Sequence, residues 1–153
     1  MKFAKDKYMI EEGNMLINKG LRLGIHALEE LEESEIDKNA KGIGCYMLAQ
    51  SIELLLKGLC NMFGETPPAH HILKHTARIL YNIYERTVPE LGIIIDDLQD
   101  ISNNAFAYVI QTWQVDGRYN DVSSQQEYID KAELIYYGLK RFIYNNGLHE
   151  KVQ

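Results

Sequence analysis

A chain of 153 residues, 46% apolar and 25% charged, is sized and composed for one globular domain with a substantial core, which excludes wholesale disorder. Its net charge of −6 excludes a general electrostatic grip on nucleic acid, which needs clustered Lys and Arg, but leaves room for one small basic pocket. No window approaches 18 consecutive apolar residues, so no membrane span is expected, and charges interrupt MKFAKDKYMIEEGN where a signal peptide would be apolar.

Five stretches carry helical periodicity, and none alternates with the period of a strand. In the first, about 5–33, Met9, Leu16, Gly20, Leu23, Ala27 and Leu31 form one stripe, with Glu11, Glu12, Lys19, Arg22 and Glu30 between them facing water. Gly20 and Gly24 each weaken a helix by up to about 1 kcal/mol, unless their small size lets a neighbour approach closely. The acidic run from Glu29 to Asp37 reads as a solvated helix end.

The second stretch, about 39–63, is the most apolar. Met47, Leu48, Ile52, Leu55, Leu56, Leu59 and Phe63 cover more than one face, which predicts the central helix. Gly64 ends it and Pro67-Pro68 forbid its continuation. Cys45 and Cys60 both fall here, about 22 Å apart along a helix and so beyond disulfide reach. Two unpaired thiols without an export signal point to a cytoplasmic protein, and buried, inert cysteine is the reading for both.

A shorter third helix, about 70–86, places Leu73, Ala77, Leu80 and Tyr84 on one side. Thr87-Val88-Pro89-Glu90 reads as a capping box opening a fourth, with the stripe Leu91, Ile94, Leu98, Ile101, Ala105 and Tyr108. From about Gln111 to Val122 there is no stripe, and Asp116-Gly117 signals a turn. Ser124-Gln125-Gln126-Glu127 reads as a second capping box. A last helix comes after it, with Tyr128, Ala132, Ile135, Leu139 and Ile143 inward, closed by Asn145-Asn146-Gly147. The expected fold is all-α: a single-domain antiparallel up-and-down bundle of four main helices with a shorter fifth.

Three features in chain order resemble the HEPN family (higher eukaryotes and prokaryotes nucleotide-binding). Ala49-Gln50-Ser51-Ile52-Glu53-Leu54-Leu55-Leu56-Lys57-Gly58-Leu59 is similar to the family's helix with an acidic residue four before a lysine. Gly64-Glu65-Thr66-Pro67-Pro68-Ala69-His70-His71-Ile72-Leu73 resembles its Gly…Pro…His-x-Leu approach to the third helix. Arg118-Tyr119 matches an Arg-Tyr pair before the last helix. The resemblance implies a bundle that commonly dimerises around a cleft associated with nucleotide or RNA. Many members are toxin ribonucleases with Arg, four to six residues, then His; others bind ligands or partner a minimal nucleotidyltransferase, as in toxin–antitoxin pairs. Here Arg22 and His26 have three residues between them and Arg141 and His149 have seven, the latter in a tail expected to fray. Arg78, Arg86 and Arg118 have no His at the family's distance.

Glu53 and Lys57 form an i, i+4 pair in the favoured orientation. On a surface the pair contributes a few tenths of a kcal/mol, whereas in the most apolar helix Lys57 would need Glu53 or a ligand phosphate as its partner. His71 and His75 would share a helical face, but no acid or Cys nearby completes a metal site, so no metal is expected and His71 reads as a cap or a bond to a neighbouring helix. Arg118, Tyr119 and Trp113 form a ligand constellation of guanidinium for phosphate and ring for base; alternatively, the aromatics pack the loop onto the bundle. No serine-hydrolase elbow, Rossmann fingerprint or P-loop is present, and no cofactor is expected. The resulting expectation is a non-catalytic, dimeric module binding a nucleotide-related ligand through Glu53, Lys57, His71, Trp113, Arg118 and Tyr119. The alternatives are a nucleotidyltransferase partner and, behind it, a ribonuclease.

Overall fold

The computed structural model describes residues 1–102, 104–116 and 121–150. Six α-helices lie among them: α1 (Lys7–Glu33), α2 (Lys38–Met62), α3 (Leu73–Arg86), α4 (Ile95–Ser102), α5 (Asn104–Asp116) and α6 (Gln126–Asn145). Short 3-10 turns at Pro89–Ile94, Ser123–Gln125 and Leu148–Glu150 complete the order, and no strand occurs among the described residues.

Aspartates open the two longest helices. The Asp6 carboxylate accepts from the Tyr8 amide at 2.8 Å, and that of Asp37 from the Asn39 amide at 3.0 Å, each satisfying a donor that the first turn leaves orphaned. Gly64, at φ +89°, supplies the left-handed turn that ends α2. The chain ahead of α1 folds back there, with the Ala4 amide donating to Met62 O at 2.8 Å.

α1 and α2 form the most extensive pairing, through small residues. A Cβ at Gly13 would sit 2.7 Å from Gly58 O, and one at Gly58 2.8 Å from Gly13 O, so the two backbones touch. The close approach anticipated for the α1 glycines is present: Gly20 meets Leu55, and a Cβ at Gly24 would overlap the Tyr136 ring of α6. Tyr136 is fully buried, its hydroxyl donating to Leu21 O at 2.8 Å, and burial pushes its pKa up to about 12. Ser51, also buried, donates to Gly20 O at 2.6 Å.

α2 is the hub, touching α1, α3, α5 and α6. Asn39–Met62 is long and apolar enough by composition to cross a membrane, with a window of mean hydropathy 1.3, yet 67% of that window is buried within the bundle. Cys45 and Cys60 are free and buried, and desolvation pushes both thiols up to about 12, which leaves no thiolate to act as nucleophile.

The fourth segment differs from expectation. The Thr87 hydroxyl donates back to Ile83 O at 3.3 Å and so closes α3 rather than capping the next helical turn. Pro89 then starts a 3-10 turn that leads into α4, on which the Ser102 hydroxyl donates to Leu98 O at 2.5 Å. The α-helical stretch therefore starts at Ile95, and after Ile101 the buried face departs from the expected stripe: Ala105 and Tyr108 are exposed, while Phe106, Ile110 and Trp113 are buried. α5 also continues through Gln111 to Asp116, where a loop was expected. The second capping box fails too, because α6 starts at Gln126 with no side-chain cap. The tail beyond α6 is held rather than frayed: Leu148 is buried, and Asn14 and Asn18 donate to Leu148 O and His149 O at 3.1 and 3.0 Å.

Asp97 on α4 lies across α6, its Oδ2 only 2.7 Å from where a Cβ at Gly138 would stand. Burial, with repulsion from Asp100 and Asp96 as the lesser causes, raises its pKa from 3.8 to about 6. A carboxyl raised on folding costs stability wherever it is ionised: fully above about pH 6, and not at all below the unfolded value. That difference would be ~3 kcal/mol undiscounted, and solvent screening of a half-buried group reduces it to about 1 kcal/mol. Asp97→Asn is thus expected to stabilise the protein by about 1 kcal/mol near neutral pH, with the gain vanishing as pH falls to about 4. Urea midpoints at the two pH values measure it; equal gains at both would contradict the assignment.

Candidate functional site

At the junction of α2, α5 and the chain leading into α3, one buried carboxylate gathers three donors. Glu53, 6% exposed, receives Lys57 Nζ at 3.0 Å and His71 Nδ1 at 2.6 Å on Oε1, and Gln114 Nε2 at 2.6 Å on Oε2. The favoured i, i+4 order on α2 brings Lys57 to Glu53. An ionised carboxylate only accepts, so His71 Nδ1 carries the proton and its Nε2 turns outward on a side chain that is 75% exposed. Lys57 Nζ, on a side chain only 13% exposed, donates also to His70 O at 2.9 Å, leaving it one further N–H.

α5 holds the approach to α3. Ile72, at the start of α3, offers no side-chain cap, and Gln111 substitutes for one: its Oε1 accepts from the Leu73 amide at 3.0 Å. Its Nε2 donates to His71 O and to Gln114 Oε1, both at 2.9 Å. Gln111 thereby fixes the loop that presents His71, and Gln114 fixes the carboxylate that receives it. Neither glutamine stands out in the sequence, although an i, i+3 glutamine pair is the signal an α5 extended to Asp116 would have offered.

His71 bonds to a neighbouring helix, one of the two roles read for it. His75 pairs with His70 instead of sharing a site with His71, Nδ1 to Nε2 at 3.2 Å, and among the described residues no three potential ligands group around a metal position. Trp113 requires a correction. It is 1% exposed, and its indole N–H donates to Gln125 Oε1 at 2.7 Å, so its ring packs α5 against the start of α6 and has no open face for a base. Arg118 and Tyr119 lie outside the described residues. Of the two Arg–His pairs that miss the family's spacing, Arg22 and His26 sit on α1 with the imidazole 3.6 Å from Glu29, both of those groups exposed, and His149 lies against the Tyr144 ring at the far end of α6.

A family model described as HEPN domain matches residues 17–141, well over half of the chain. The chain belongs to the HEPN domain family. No curated protein and no solved structure matches it. The matched span of this HEPN domain contains Glu53, Lys57, His71, Gln111 and Gln114, so the polar cluster is internal to the HEPN bundle.

Chemically, the cluster is a finished network. The buried charge is balanced, every Glu53 oxygen is occupied, and the groups left for an outside molecule are one Lys57 N–H, the second Gln114 N–H and the His71 Nε2. It is built to present a fixed polar surface.

Proposed function

We propose that this HEPN domain is a non-catalytic module that binds a nucleotide or nucleotide-related ligand at the end of the bundle where Glu53, Lys57 and His71 meet. The observation that carries this reading is the Glu53 network. It fixes a lysine and a histidine at the mouth of α5, and the chain leaving α5 leads directly to Arg118-Tyr119. Arg118 would add a phosphate contact and Tyr119 an aromatic one. The sequence carries no arginine followed by histidine at the spacing of HEPN ribonucleases, which favours binding over cleavage. Both free thiols fit a cytoplasmic setting.

Calorimetric titration with ATP, ADP and AMP tests the proposal. Micromolar to submillimolar binding weakened by Arg118→Ala is expected, without RNA cleavage; no binding at millimolar nucleotide would overturn it.

Exposed apolar side chains support a second reading, association with protein. Ile93, Leu134 and Tyr137, 76%, 70% and 45% exposed, border a cleft of about 610 Å³ between α4 and α6. A second copy of the chain or a nucleotidyltransferase would cover them, and native mass spectrometry of the fresh protein distinguishes the two.

A further inference from the structure

Lys57 and His71 are already engaged with Glu53, so the main positive charge for an anionic ligand must come from elsewhere. Lys74 and Arg78 stand four residues apart on the exposed face of α3, and neither forms an ion pair or hydrogen bond with any described residue. Both line a groove of about 470 Å³ between α3 and α5, whose other walls include Tyr108 and Gln111, with no acidic residue among the described lining. The volume is that of a small-molecule site. In a chain of net charge −6, this face is locally basic.

Two further observations point to an anion. The pKa of His75, next to Lys74 on α3, is lowered by desolvation first and then by His70, Lys74 and Arg78, in keeping with the positive charge of this face. Tyr108 lies where the apolar stripe predicted a buried side chain, yet it is 73% exposed. Exposing that ring costs burial energy, and a stacking partner would recover it.

We propose that the α3–α5 groove seats the ligand's phosphate on Lys74 and Arg78 and its base on Tyr108, with the Glu53 network as the rigid wall behind. The proposal rests on the nucleotide reading above and locates the ligand within it. The Arg78 guanidinium offers a bidentate fork to phosphate, and Lys74 offers a point charge. Gln111 joins groove and network: its amide is committed to Leu73, His71 and Gln114, so the floor beneath the ligand is fixed. A single nucleotide fits this volume and charge better than a strand, which would need a longer basic track.

The test is calorimetry on the full chain with ADP, adenosine, inorganic phosphate and a ten-residue oligoadenylate, against wild type, Lys74→Ala/Arg78→Ala, Tyr108→Ala and Arg118→Ala. Unfolding midpoints check that each variant folds. The double variant should weaken ADP at least tenfold, and Tyr108→Ala should weaken ADP while leaving inorganic phosphate unchanged. By NMR, the His75 pKa should rise when ADP binds the wild type, because the phosphate offsets the two cations, and should not respond in the double variant. ADP binding that is equal in wild type and double variant would overturn the groove while leaving the nucleotide reading intact. No ADP binding to wild type at millimolar concentration overturns both. Oligoadenylate binding tenfold tighter than ADP would overturn the single-nucleotide ligand.

Discussion

Glu53→Ala is expected to destabilise the protein by about 3 kcal/mol, near the lower end of what breaking a buried charge pair costs. The reason lies in what remains. Lys57 has a side chain only 13% exposed and would keep His70 O as its sole partner, a hydrogen bond without a countercharge. Gln114 would lose its acceptor, while His71, three-quarters exposed, would turn to water at little cost. For a chain of this length the loss corresponds to a fall in Tm of about 6–12 °C. Glu53→Met/Lys57→Met removes both charges together and should recover most of the loss, since a buried ion pair gains little over apolar groups of similar volume. Thermal and urea unfolding of the single and double variants measure the coupling. A Glu53→Ala loss under about 0.5 kcal/mol would mean that water, rather than Glu53, neutralises Lys57.

The sequence made α1, α3 and α6 legible as helices through one-sided stripes and α2 through its apolar faces. The buried face of α1 nevertheless runs through Ile10, Ile17, Leu21 and Gly24, with the expected Met9, Leu16 and Leu23 only half-buried. The stretch from Leu91 to Tyr108 defeats the same reasoning. Its apolar residues continue in phase up to Ile101, after which Phe106, Ile110 and Trp113 form the buried face while Ala105 and Tyr108 are exposed. A stripe extrapolates one apolar face, whereas the face that is buried depends on which helices pack against each part of the chain, and no local period encodes that. The first capping box failed for a related reason: Thr87 has a competing carbonyl within reach in the helix it ends.

The site was legible in its local half. Glu53 and Lys57 declare themselves by spacing, and His71 by its place in the resemblance. Gln111 and Gln114 did not, because their partners Leu73, His71 and Glu53 are 38 to 61 positions away and no local period encodes such contacts. Apolar character alone could not separate the two roles open to Trp113, since a ring that packs a core and a ring that stacks on a ligand are the same residue in a sequence.

Trp113→Ala should decide that question through stability. A tryptophan 1% exposed has its whole ring in the core, and its removal costs about 3–5 kcal/mol in lost burial and residual cavity. Gln125 would lose the indole donor 2.7 Å away, and with it the tie between α5 and the turn that starts α6. The expected fall in Tm is on the order of 10 °C, comparable to that of Glu53→Ala. A ligand-stacking tryptophan would behave oppositely, leaving stability nearly unchanged and abolishing binding. Fluorescence gives an independent check, because Trp113 is the only tryptophan in the chain. Its emission should be blue-shifted and resistant to iodide in the native state, and should become quenchable on unfolding. Ready quenching in the native protein, together with a Tm within about 2 °C of wild type for Trp113→Ala, would return the ring to the ligand and remove it from the core.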